Sequence, residues 1–340
     1  MKYVFAAATA CIAIGAGAQA ATLTDTFTSF YSIGDSLSDD GKGRAPSASP
    51  YFGTRFSNGE VWAEDIEGVF IKESKDTKNY ALGGATANGP DLGSADPARA
   101  STLSGQVGAV LEDVVTSAVQ PGANPLVSVW MGANDLFGIA GTPLSAPLAP
   151  NDEGLKALAE GVAGLVAQSI GQLAANPIYQ FENFVVMNLP DLDAAPLYTL
   201  AAPQFASNAA IVTEAYNTAL TTNMALLEAS LGINVIEVDV NALFDEINGA
   251  DNPLGFFDRT NPCVFEAVNF NCAPIDPSFA SAFLFQDLVH PTRPAHAFLA
   301  ERTIAAVEAE ISAVPLPASA PLMIAGFALL GWQARRRAAA

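Results

Sequence analysis

Apolar, β-branched and aromatic residues gather into short runs at 30–33, 126–131, 184–187 and 233–238. Runs of this length and composition predict buried strands. Between them the apolar positions change to helical spacing. Leu103, Val107, Val110, Leu111 and Val114 mark one stripe; Leu155, Leu158, Val162, Leu165, Val166 and Leu173 mark a longer one, with Asn151 placed as its N-cap. A third helix is predicted over about 204–231, and a fourth follows Pro294 through Phe298, Ile304, Val307 and Ile311. Strands alternating with helices favour a parallel sheet with helices on both faces. The Pro-, Ala- and Gly-rich stretches 86–100 and 139–151 read as surface loops, and no internal repeat is evident.

Both ends depart from this alternation. Lys2 precedes an apolar run over 3–14, and small residues lead to Ala18-Gln19-Ala20, the pattern of a secretory signal peptide cleaved after Ala20. The alternative, a buried N-terminal helix, would need a polar face that this segment lacks. Cys11 lies within the run with no lipoprotein motif before it. At the other end, Val314-Pro315-Leu316-Pro317-Ala318 is followed by an apolar stretch over 321–332 and by Arg335-Arg336-Arg337. The apolar run is short of the roughly 20 residues of a spanning helix, yet the arginines sit where the positive-inside rule asks for them. This ensemble resembles C-terminal sorting signals of the PEP-CTERM type in their Val-Pro-Leu-Pro-Ala variant. The resemblance implies transient membrane insertion, with cleavage and transfer by a membrane sorting enzyme as a partner. The alternative is a C-terminal helix packed on the core. The expected organisation is a signal peptide over 1–20, one folded domain over 21–312 and a sorting or membrane segment over 313–340. The expected location is outside the cytoplasm, at the cell surface, in the periplasm or secreted.

Composition narrows the class of partner. Half of the 340 residues are hydrophobic, enough for a large core, and the formal charge of −20 repels phosphate backbones, so nucleic acid is excluded as a partner. With Cys11 removed by export, Cys263 and Cys272 remain, close together in a Pro- and Asn-rich segment. An oxidising compartment makes a local disulfide the expected state, with two free buried thiols as the alternative. No histidine or further cysteine is near enough to suggest zinc.

The candidate chemistry follows the predicted strands. Gly34-Asp35-Ser36 follows the first, Gly132-Ala133-Asn134-Asp135 and Asn188-Leu189-Pro190-Asp191 follow two later ones, and in an open parallel sheet such positions share one rim. Ser36 is a candidate nucleophile, although a serine there could equally be a helix N-cap. A serine hydroxyl needs a base, and the chain offers two histidines, His290 and His296. His290, in Asp287-Leu288-Val289-His290-Pro291, lies one turn of chain from Asp287, which can hold its Nδ1–H and leave Nε2 free for Ser36. His296 follows Pro294 at a helix start and reads as a surface or packing residue. Asn134 can donate a side-chain amide to an oxyanion and Gly84 a backbone N–H, each also consistent with an ordinary cap or loop.

In this order the motifs resemble the SGNH (GDSL) hydrolase family over nearly all of 29–312. The resemblance is carried by Gly34-Asp35-Ser36-Leu37-Ser38-Asp39, by Leu82-Gly83-Gly84-Ala85-Thr86, by Gly132-Ala133-Asn134-Asp135 and by Asp287-Leu288-Val289-His290-Pro291-Thr292. Arg55-Phe56-Ser57-Asn58-Gly59 with Trp62, and Asn188-Leu189-Pro190-Asp191, resemble its lipase, phospholipase and haemolysin-like branch. The resemblance implies a flavodoxin-like three-layer α/β/α sandwich with about five parallel strands. It implies Ser36, His290 and Asp287 as catalytic triad, and an oxyanion hole of Ser36 N–H, Gly84 N–H and the Asn134 side chain, with Gly83 an alternative to Gly84. The expected activity is hydrolysis of small-molecule or lipid carboxylic esters without metal or organic cofactor. Acyl transfer or polysaccharide O-deacetylation on the same site is the alternative, and a surface-displayed binding module without turnover is a third. Substrate contacts are expected from loops over 40–60, 86–100, 136–150 and 192–205.

Overall fold

The computed structural model describes residues 22–41, 51–89, 101–265, 270–272 and 277–313. The expected signal peptide, the expected sorting segment beyond Ala313 and most of the 86–100 loop lie outside the described residues.

A short helix α1 (Leu23–Thr26) precedes β1 (Ser29–Gly34), whose six residues are all buried. Helix α2 (Trp62–Lys72) leads to β2 (Asp76–Asn79), and α3 (Leu103–Thr116) leads to β3 (Pro125–Trp130). Helices α4 (Ala133–Ala140) and α5 (Asp152–Ala174) precede β4 (Asn183–Met187). Short α6 (Pro196–Thr199) and long α7 (Pro203–Leu231) precede β5 (Asn234–Val238), after which come α8 (Val240–Asn248) and finally α9 (Arg293–Ala313). The five strands form one parallel sheet in the order β2-β1-β3-β4-β5. This is the flavodoxin-like order that the motifs imply.

Right-handed crossovers determine where the helices go. A chain that moves from β1 outward to β2, then back across to β3, β4 and β5, must put its first crossover helix on one face and the later ones on the other. Accordingly α2 packs on α9, while α5 packs on α7 with α3 and α4 beside it. The four strands expected from apolar runs lie within a residue or two of their expected places. β2 has no such run, because Asp-Thr-Lys-Asn at a sheet edge is only half buried. Its polar groups have partners instead: Tyr31 donates to Asp76 at 2.8 Å and Lys78 pairs with Asp113 at 2.6 Å.

The expected cap appears, and the expected stripes face the core except at Leu158, which is exposed on α5. Asn151 accepts from Gly154 N–H at 2.9 Å and opens α5, and Gly232 closes α7 with a left-handed φ of 67°. The 139–151 segment is helical only to Ala140. Five helices, α1, α2, α4, α6 and α8, are not anticipated from periodicity; α1 and α6 are single turns, and α4 begins inside a motif read for its chemistry.

After α8 the chain makes β6 (Asp258–Pro262), β7 (Val264–Phe265), β8 (Phe270–Asn271) and β9 (Phe283–Phe285), with β6 paired to β9 and β7 to β8. Cys263 and Cys272 form a disulfide and, with Ala280 and Phe283, make a small buried cluster apart from the main core. Cys263 N–H donates to the Phe285 carbonyl at 2.9 Å, which couples the staple to the segment leading to Asp287. Among the described residues no helix is long and apolar enough to cross a membrane. Replacing both cysteines by alanine is expected to lower the unfolding free energy by about 2 kcal/mol. Chemical denaturation tests this, and a curve superimposable on the oxidised parent would show that the staple is idle.

Candidate active site

Gly34 and Trp130 are register partners at the C-terminal ends of β1 and β3. A Cβ on Gly34 would lie 2.8 Å from the Trp130 carbonyl oxygen and 2.9 Å from Ser38 Oγ, so no side chain fits there. The Gly34 peptide is also clamped by the buried Gln106 amide, which accepts from Gly34 N–H at 2.9 Å and donates to its carbonyl at 2.8 Å. This fixed strand end is the platform for Asp35 and Ser36. Gln106 attracted no attention in the sequence, because a lone glutamine on an apolar stripe carries no motif.

Ser36 Oγ lies 2.8 Å from His290 Nε2. On the other side of the ring, His290 Nδ1 lies 2.8 Å from both oxygens of Asp287. With Nδ1–H donating to the carboxylate, Nε2 is left to accept the serine proton. Asp287 Oδ1 also accepts from the backbone N–H of Val289 at 3.0 Å and of His290 at 2.9 Å, which closes the turn that brings the two side chains together. Burial works to raise the Asp287 carboxyl, but the His290 charge and its hydrogen bond, with those two backbone donors, outweigh it and hold the carboxyl below its ordinary range. His296 is elsewhere: it is buried beneath α2, its Nδ1 accepts from Trp62 N–H at 3.4 Å, and burial with nearby Arg293 and His290 depresses it to about 3.

The two candidate glycines differ in what their N–H groups do. Gly83 N–H donates to the buried Asp39 Oδ2 at 2.7 Å and is thereby occupied. Gly84 has φ 79°, a left-handed conformation that favours glycine, and its N–H and that of Ser36 have no hydrogen-bond partner among the described residues. Carboxylates and amides from the neighbouring motifs hold this loop. Asp135 accepts from Ala87 N–H at 2.8 Å and Asn88 N–H at 3.1 Å, and Asn134 Nδ2 donates to the Ala85 carbonyl at 2.9 Å. Asn134 lies in the first turn of α4, which Gly132 precedes; the φ of 120° at Gly132 and its close approach to the Tyr216 ring leave no place for a side chain there.

Asp35 is fully buried beside these groups. Its Oδ1 accepts from Leu37 N–H at 3.0 Å, and its Oδ2 lies 3.4 Å from Asn134 Nδ2. Burial pushes its carboxyl up to about 7, with Asp135 adding to the rise and the Leu37 N–H and His290 opposing it. Asp135 is raised by burial as well, against the pull of its two backbone donors.

Ser36, Asn134 and His290 line a cleft of about 720 Å³, its mouth included. Its walls are mostly apolar: Leu37, Trp130, Phe137, Leu192, Phe244, Phe285 and Val289. Phe137 and Leu192 lie in the spans expected to contact substrate, although Phe137 is on α4 and not in a loop. Phe244, Asp245 and Asn248 come from α8, which sequence reasoning missed; Asn188 ties α8 to the end of β4 by donating to Asp239 at 2.8 Å. No group of three or more metal-ligating side chains occurs among the described residues.

Residues 30–303 match the family model described as GDSL-like Lipase/Acylhydrolase. The chain belongs to this family. It is 26% identical over 306 residues to the thermolabile hemolysin of Vibrio parahaemolyticus serotype O3:K6 (strain RIMD 2210633), covering 84% of this chain and 65% of that protein. It is 29% identical over 255 residues to the phosphatidylcholine-sterol acyltransferase of Aeromonas hydrophila, covering 72% of this chain and 68% of that protein. The chain thus spans about two thirds of the length of each of these relatives. Among solved structures, an acetylxylan esterase from Geobacillus stearothermophilus aligns with a TM-score of 0.45 and 13% identity, covering 85% of this chain and 96% of that one. That likeness is too distant to bear on the site.

The Asp35 environment has a consequence for stability. Its folded pKa lies above the ordinary 3.8, so the folded state holds this proton more tightly, and its contribution to stability is lost as pH rises from about 4 through about 7. Asp35→Asn is therefore expected to gain stability over the parent at pH 8 by up to about 4 kcal/mol and to match it below pH 4. Unfolding titrations at both pH values test this; an equal difference at the two would rule out the raised carboxyl.

Proposed function

We propose that the protein is an exported serine hydrolase of carboxylic esters. Ser36 attacks the ester carbonyl as His290 Nε2 takes its proton. The resulting imidazolium is stabilised by Asp287, and His290 then returns the proton to the leaving alcohol. Water activated by the same histidine releases the acid and regenerates the serine. The backbone N–H groups of Ser36 and Gly84, with the Asn134 amide, stabilise the tetrahedral oxyanion. The observation that carries this reading is the continuous 2.8 Å relay from Ser36 through His290 to Asp287, with Ser36 and His290 lining an apolar cleft. Gly84 is preferred to Gly83 because the Gly83 N–H is already held by Asp39. The apolar walls suit an acyl chain, and the two relatives, named for a hemolysin and for an acyltransferase acting on a phosphatidylcholine, support a lipid or small-molecule ester as substrate.

The same cleft favours a second reading, transfer of the acyl group to an apolar alcohol in place of water. Walls of Leu, Phe and Val suit an apolar acceptor alcohol as well as an acyl chain. The 1–20 segment supports export, and the resemblance of the segment over 313–340 to a sorting signal supports processing by a membrane sorting enzyme.

Ser36→Ala is expected to abolish hydrolysis of a p-nitrophenyl ester and labelling by a fluorophosphonate while leaving the circular dichroism spectrum unchanged. Retained turnover would sink the assignment. Asn134→Ala is expected to cut kcat by about 100-fold, the scale of one lost oxyanion donor. Product analysis with phosphatidylcholine in the presence of a sterol or glycerol separates hydrolysis from transfer, and intact-mass measurement on the exported protein reports both processing events.

A further inference from the structure

Arg55-Phe56-Ser57-Asn58-Gly59 is a motif for which the reaction above provides no task. Yet the segment 51–59 lies along the segment 287–293 and touches it at successive points. Tyr51 donates its hydroxyl to Asp287 Oδ2 at 2.8 Å. The Phe56 ring lies 4.8 Å from the His290 ring at an angle of 32°. Ser57 Oγ donates to the Pro291 carbonyl at 3.1 Å, and Arg293 N–H donates to Asn58 Oδ1 at 2.7 Å. Gly59 passes so close that a Cβ there would sit 2.7 Å from Arg293 Cβ.

This clasp is braced from behind. Phe52 N–H donates to the Ser57 carbonyl at 2.9 Å across a turn in which Gly53 and Thr54 have φ of 56° and 66°. Arg55 makes a two-pronged bond to Glu64, and Arg293 makes one to Asp65, so both partners of the clasp are tied to α2. A loop needing only to cover the site would not require these ties.

The contacts fall on the two atoms that a base depends on. Asp287 Oδ1 has three N–H neighbours, whereas the donors on Oδ2 are the His290 ring and the Tyr51 hydroxyl. Removing the hydroxyl leaves one oxygen of a half-buried carboxylate short of a donor and free to turn away from the imidazole. Phe56 limits the ring from another direction. Its edge also fills the space over Gly83, where a Cβ would come within 2.1 Å of Phe56 Cε2, so one side chain spaces the base from the oxyanion loop.

We infer that Tyr51 is a positioning residue that acts on the reaction through Asp287, and that Phe56 is one that acts through the His290 ring. The inference rests on the Ser36, His290 and Asp287 reading. Tyr51→Phe keeps the ring and loses the hydroxyl; kcat on a soluble p-nitrophenyl ester is expected to fall by about 10-fold, the scale of a hydrogen bond to a charged group, with KM within about twofold of the parent. Phe56→Leu is expected to lower kcat comparably, and Phe56→Tyr to restore it. In an Asp287→Asn background the hydroxyl no longer meets a carboxylate, so Tyr51→Phe is expected to cost less than about twofold there. This cycle compares the same substitution in two backgrounds and so cancels a general loss of stability. An unchanged kcat in Tyr51→Phe, or the same 10-fold loss in both backgrounds, would overturn the role of Tyr51; loss of kcat in Phe56→Tyr equal to that in Phe56→Leu would overturn that of Phe56. Ser36→Ala in the same assay separates the two levels. If it retains turnover, the triad reading fails and this inference with it; if it is silent while Tyr51→Phe behaves as the parent, only the inference fails.

Discussion

Two parallel strands end side by side, and where they end the backbone of Trp130 leaves no room for a side chain on Gly34. Much of the site depends on that contact. The close approach draws the turn after β1 toward the turn after β3, so Ser36 and Asn134 face one cleft although they lie in different crossover units. A flavodoxin-like strand order makes this the natural place for a site, since β1 and β3 are where the chain reverses its direction across the sheet. Gln106, reaching up from α3, satisfies the Gly34 peptide so that the strand end can be buried without unpaired backbone groups.

An acidic chain has put several of its carboxylates to work inside the fold. Asp39 holds Gly83, Asp135 holds Ala87 and Asn88, and Asp287 holds the turn carrying His290, each by accepting backbone N–H groups. Buried carboxylates are costly unless their oxygens are met by donors, and these loops present donors in pairs. Burial prevails over the donors at Asp135 and more strongly at Asp35, whose second donor lies at 3.4 Å and whose carboxyl is pushed up to about 7. The same groups that carry chemistry are therefore interleaved with groups that hold the loops still.

Much of the fold was legible because buried strands and amphipathic helices leave periodic traces. The strands at β1, β3, β4 and β5 and the stripes of α3, α5, α7 and α9 all carry them. β2 does not, because an edge strand needs no apolar face when its side chains find polar partners such as Tyr31 and Asp113. Helices α1, α4, α6 and α8 give few apolar positions in which a period could show, whereas α2 does carry one, Trp62, Ile66 and Phe70 at successive fours, beside a motif read for its chemistry. Asn188 and Asp191 were read as a motif, yet their neighbours on α8, including Phe244, had no signal that they would meet Ser36 across a cleft.

Local chemistry is what the sequence by itself determined: which side chains can attack, accept a proton or donate to an oxyanion, and which segments are strands or helices. Those properties depend on residue type and on neighbours within a few positions, so they survive without knowledge of the fold. Tertiary structure alone decided which of two adjacent glycines keeps its N–H free, since Asp39 reaches Gly83 from another loop. It also decided that His296 is buried beneath Trp62, and that Tyr51 meets Asp287 across 236 positions of chain. Such contacts are set by the register of strands and the packing of α2 on α9, and no spacing along the chain encodes them.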